Sequence, residues 1–180
     1  MIAEITTYTE YFDFSLRLKE CGFREDSGEN PLNCRWVHDR LVLDVMPVDQ
    51  GILGSVNGWY RDALSSAQIV TLPSGISIRV ITAPYFLGTK VEAFRERGNR
   101  DFLASRDLED FIAVIDGCES ILEESSIAPA KLQRYLANAV RELLSESQFL
   151  EVLPGYLLPD ETSQRRLPGL LSKLGVVSAG

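Results

Sequence analysis

The sequence predicts an α+β protein: a mixed sheet with flanking helices to about residue 81, then a C-terminal helical bundle. Three observations carry that expectation. Ahead of residue 81 two apolar runs are each broken by a short turn, Asp39-Arg40 in one and Pro73-Ser74-Gly75 in the other, the pattern of β-hairpins. After Thr82 the apolar spacing changes to three and four, the period of amphipathic helices. A chain of 180 residues with 45% apolar and 24% charged side chains can bury a core as one domain or two small ones. The division expected is 1–81 for the sheet region and 82–180 for the helices.

IAEI at 2–5 reads as a short strand. Thr7 opens a helix through a T-x-x-E capping box to Glu10, with Tyr11, Phe14, Leu18 and Cys21 as its apolar stripe and Gly22 as its stop. CRWVH (34–38) and LVLDVM (41–46) flank the first turn. Alternation puts Val42, Asp44 and Met46 on one face and Leu41, Leu43 and Val45 on the other, so the second strand is expected to be central and covered on both sides. PVDQGILGSVNG reads as a loop, WYRDALSSA as a short helix, and QIVTLPSGISIRVI as the second hairpin. The next helix starts at Thr82, with Pro84 in its first turn, and ends at Gly98. Another runs from about Ser105 to Gly117. A third follows Pro129 with Leu132, Leu136, Ala139 or Val140, and Leu143 on one face. The tail from Asp160 is helical in pattern and is kinked or split by Pro168.

The formal charge of −8 and pI near 4.7 argue against a general nucleic-acid or membrane-surface binder, which needs a basic face. Cys21, Cys34 and Cys118 are odd in number and lack C-x-x-C spacing, which reads as reduced packing thiols of a cytoplasmic protein. MIAEITTYTEY has neither the basic nor the apolar region of a secretory signal, and no apolar run approaches the ~20 residues that span a bilayer. A cytoplasmic protein with no membrane partner is expected.

Asp44 is the first candidate for chemistry. A carboxylate in an apolar strand needs a partner. It could hold Mg²⁺, or pair with Arg35 or Arg79 on a neighbouring strand. Lys90 is the second, since it lies within or beside an apolar stripe. Asp107 and Asp110, at i and i+3, share a face of the following helix. Together they make either a helix–helix clamp or a lysine held rigid to touch a nucleotide phosphate. Arg95, Arg97, Arg100 and Arg106 form the one basic concentration, which could receive a phosphate or remain a solvated corner. His38 is the sole histidine, so zinc and a Ser-His-Asp triad lack support. Neither G-x-G-x-x-G nor a Walker loop occurs. Trp59 and Tyr60 suit either a base stack or the core.

CRWVHDRLVLDVMPVD followed by TAPYFLGTKVEAFRERGNRDFLASRDLEDF resembles the AbiEii/AbiGii toxin-type nucleotidyltransferases of the DNA-polymerase-β-like superfamily, most closely from Cys34 to Gly117. The resemblance implies a nucleotidyltransferase-like core and a role for each candidate. Asp44 would be a metal-binding, catalytic carboxylate, Lys90 a nucleotide-pocket lysine with Arg97 near it, and Asp107 and Asp110 the supporting acids. Mg²⁺ and an NTP would be the cofactor and substrate, and a hydroxyl such as a tRNA end the acceptor. An antitoxin protein is the partner the resemblance implies, and the sheet edge or apolar face left by a missing first strand invites a second copy. The family's glycine-serine helix start and D-x-D strand are not in this chain, so two of three metal carboxylates are missing. The expectation is therefore an incomplete enzyme with little or no transfer. The alternative is a non-catalytic nucleotide- or protein-binding module derived from the same fold.

Overall fold

A computed structural model describes residues 1–27, 34–53, 57–97 and 101–180. The protein is α+β, with small sheets and a helical C-terminal region. Its contacts divide it into two compact units, Met1–Ser65 and Ser66–Gly180.

The first unit opens with strand β1 (Ile2–Ala3) and helix α1 (Tyr8–Glu20). The capping box forms as its sequence dictates: Glu10 N–H donates to Thr7 Oγ1, and Thr7 N–H donates to the Glu10 carboxylate. Gly22 then takes φ +84°, which ends the helix in a conformation that L side chains resist. α1 buries Leu18 and Ser15, whereas Cys21 is exposed. The packing role expected for that thiol is therefore corrected, because it lies beyond the helix's inward face.

Strands β2 (Arg24–Glu25), β3 (Arg35–His38) and β4 (Leu41–Asp44) form an antiparallel sheet in that order. β3 is the inner strand, and its Trp36 meets Leu18 and Val45 in the core. β4 is an edge among the described residues, with Leu41 and Val42 exposed. That corrects the expectation of a central strand covered on both faces, since the ladder places β3, not β4, between two neighbours. β5 (Met46–Pro47) pairs in parallel with β1. Within the stretch expected to be a loop, α2 (Gln50–Leu53) forms a turn of helix, and α3 (Tyr60–Ser65) follows with Trp59 buried at its start.

The second unit begins with a hairpin of β6 (Gln68–Thr71) and β7 (Ser77–Val80), which pair with each other in a two-stranded sheet. By its contacts the hairpin groups with the helices and not with the other strands. Register sets Val70 opposite Ile78 and Gln68 opposite Val80, so one face is largely aliphatic. Every residue of both strands is exposed.

The helices are α4 (Ala83–Arg97), α5 (Arg106–Gly117), α6 (Ile121–Ile127), α7 (Ala130–Ser145), α8 (Ser147–Val152), α9 (Glu161–Gln164) and α10 (Leu167–Ala179). α7 buries Leu132, Leu136, Ala139, Val140 and Leu143, the stripe its spacing predicts, and packs on α4 and α10. α10 answers with Leu170, Leu174 and Val177 at i, i+4 and i+7. Pro168 sits in the first turn of α10, where its missing N–H costs no helical bond, and so separates α9 from α10. No described helix is long and apolar enough to cross a membrane.

Candidate functional site

The β3–β4 turn is two residues long, with Asp39 at φ +50°. That length fixes the register, His38 opposite Leu41 and hence Arg35 opposite Asp44. The two side chains meet in a fork: Arg35 Nε donates to Asp44 Oδ1 at 2.7 Å and Nη2 donates to Oδ2 at 2.9 Å. Donating to Asp44, ahead of the charge on that carboxylate, raises the Arg35 guanidinium above its ordinary pKa. Asp44 is 39% exposed and Arg35 33% exposed. Asp44 is therefore half-exposed on an edge strand and not enclosed by apolar neighbours.

This donor set does not fit a two-metal centre. Arg35 already balances the Asp44 charge and takes an acceptor site on each oxygen, which weakens its draw on Mg²⁺. Among the described residues no three His, Cys, Asp or Glu side chains cluster in a way that could hold a metal ion.

The second candidate lies wholly in the helical unit. Ser105 caps α5 by accepting from Leu108 N–H at 3.3 Å. This sets the start of the helix, placing Asp107 in its first turn and Asp110 a turn on. Carboxylates near that end are favoured by the helix dipole. Lys90 of the adjoining α4 reaches both: Nζ donates to Asp110 Oδ2 at 2.5 Å and to Asp107 Oδ1 at 3.4 Å. It also lies 5.4 Å from the centroid of the Phe86 ring, one turn earlier in α4. Lys90 is 23% exposed, Asp107 13% and Asp110 50%. The three residues that the sequence grouped are thus brought together. An ammonium has three donors, so two carboxylates fix its direction without exhausting it.

The side chain of Arg97, with Gly98 and Arg100, lies outside the described residues. Arg95 Nη2 donates to Glu142 at 2.5 Å, and its guanidinium lies 5.0 Å from the Tyr135 ring centroid, so it joins α4 to α7. Arg106 is exposed at the start of α5. His38 packs edge-on against Phe23 at 5.3 Å. Trp59 belongs to the core.

Sequence spacing did not reveal the polar link between α4 and α7, in which Tyr135 Oη donates to Glu92 beneath Arg95. Nor did it reveal Lys173, whose Nζ donates to the carbonyls of Ile115, Asp116 and Cys118. Both depend on which helices meet. A polar residue beside a strong apolar stripe, such as Tyr135 next to Leu136, was the available signal. No family model, curated protein or solved structure matches the chain.

Proposed function

We propose that this chain is a cytoplasmic protein of the nucleotidyltransferase type that binds a nucleoside triphosphate through Lys90 and transfers its nucleotidyl group, with release of pyrophosphate, poorly or not at all to a hydroxyl acceptor such as a tRNA end. The observation that supports binding is the fixed, partly open Lys90 ammonium held by Asp107 and Asp110. A lysine aimed in this way forfeits little side-chain entropy when a phosphate meets it. The Arg35–Asp44 fork supports weak transfer, because a carboxylate engaged on both oxygens is poorly placed to activate a hydroxyl.

The test is a thermal-shift titration of the 180-residue protein with each NTP, with and without Mg²⁺ as the triphosphate's counter-ion. A nucleotide present at a hundred times its Kd should add roughly 2.7 kcal/mol of stability. The gain should vanish in Lys90→Met. Equal gains in both proteins, or none with any nucleotide, would overturn the reading.

A second reading is favoured by the aliphatic, exposed face of the β6–β7 hairpin: a non-catalytic module that binds a protein partner, whether an antitoxin or a second copy. Sedimentation that stays monomeric at every concentration would remove the second copy from that list.

A further inference from the structure

A cavity of about 230 Å³ opens between α4, α5 and α7. Its walls are core side chains: Val91, Phe94, Phe102, Leu108, Ala139 and Leu143 are all buried. Two of these walls are held from outside the cavity. Phe102 packs on Phe149 at 6.2 Å, and its carbonyl accepts from the Tyr156 hydroxyl. Leu108 is fixed through its N–H, which donates to the Ser105 cap. An apolar void with fixed walls leaves its lining atoms short of contacts, so an occupant that supplies them is favoured.

Size and chemistry together restrict that occupant. An apolar cavity of about 150 Å³ admits benzene, so this one has room for a single ring and a short alkyl chain. The polar lining residues are Arg95, Glu142 and Glu146. Arg95 and Glu142 are open to solvent and paired with each other, and Glu146 is engaged as well, so the mouth offers a ligand no unengaged charge. A charge drawn in among the apolar walls would lose its water without compensation, which leaves a neutral molecule. The Phe94 and Phe102 rings, 5.5 Å apart and tilted by 46°, line the same space. Aromatic side chains favour a further ring through edge and offset-face contacts.

We infer that this cavity is a binding site for a small uncharged arene, one ring with a short alkyl chain, seated against Phe94 and Phe102. It uses neither Lys90 nor a nucleotide.

The probe is ethylbenzene, titrated into the full chain and followed by ¹H–¹³C methyl spectra. Benzylammonium and benzoate carry the same ring with a positive or a negative charge beside it. Saturable ring-current shifts of the Val91, Leu108 and Leu143 methyls are expected with ethylbenzene, and both ions should bind at least about tenfold more weakly. Ala139→Leu fills much of the cavity and should weaken ethylbenzene about tenfold or more. In case that variant does not fold, nuclear Overhauser contacts in the native chain locate the ligand, and they should join its ring protons to the same three sets of methyls. No saturable shift, either ion as tight as ethylbenzene, unchanged binding in a folded Ala139→Leu, or contacts only to methyls elsewhere would overturn the site.

Discussion

The Tyr135 hydroxyl lies between two helices, donating to Glu92, and burial, ahead of that hydrogen bond, pushes its pKa up to about 12. Burial does the same to Tyr156, whose hydroxyl donates to the Phe102 carbonyl. A raised phenol pKa means that the fold favours the neutral form. Its contribution is fully present below 10.0, the ordinary tyrosine value, and is lost as the pH climbs from there towards about 12. The urea midpoint should accordingly fall steeply across that window, and less steeply in Tyr135→Phe. Ultraviolet titration showing all six tyrosines ionising together near 10 would contradict this. Asp44 teaches a related lesson about what a sequence conveys at this scale. Its oddity was legible, and the two-residue turn makes Arg35 its partner by counting. Its exposure was not, because alternation reports which residues share a face and not whether another strand lies beyond.

At the scale of elements, Lys173 ties α10 to the end of α5, and Arg166 at the start of α10 pairs with Asp116 of α5 at 2.9 Å. Lys173 Nζ donates to three carbonyls at the end of α5, at 2.9, 2.9 and 3.2 Å. Those carbonyls have no partner within the helix, and a positive charge there also opposes the negative end of the dipole. Lys173→Met keeps the stem and removes the donors, so it should cost about 2 kcal/mol. The loss should appear as a lower urea midpoint at unchanged slope, and a change within about 0.5 kcal/mol would refute it. The elements that were plain in the sequence are those with a strong apolar stripe or a cap. α7 has the stripe, α5 has Ser105 and Leu108–Phe111–Ile112–Ile115, and α1 has Thr7 and Glu10. α2 and α6 are short and carry no such pattern, and α2 lies in a glycine-bearing stretch that reads as loop. Tertiary contacts decide such segments more than local preference does.

Across the whole molecule, the helical unit has a core of its own, built from Leu108, Phe111, Ile112, Leu132, Leu136 and Leu170 among others. Residues 66–180 expressed alone should therefore give a helical far-ultraviolet spectrum and one cooperative urea transition. A coil-like spectrum would show that the core depends on the first unit. The sequence showed the class and the order of strands and helices but not that the hairpin groups with the helices, because a hairpin resembles its neighbours in composition whether or not it joins their sheet. That hairpin, β6–β7, also sets an order of events. Its ladder spans four pairs, Gln68–Val80 to Thr71–Ser77, and none of its strand residues is buried. Two strands without a covered face are marginal in water. Their amides should trade hydrogen for deuterium through local fluctuation, at a free energy well below that of global unfolding, while those of α7 wait for the bundle to open. The protein thus carries a segment that can come apart and re-form while the helices beside it stay folded.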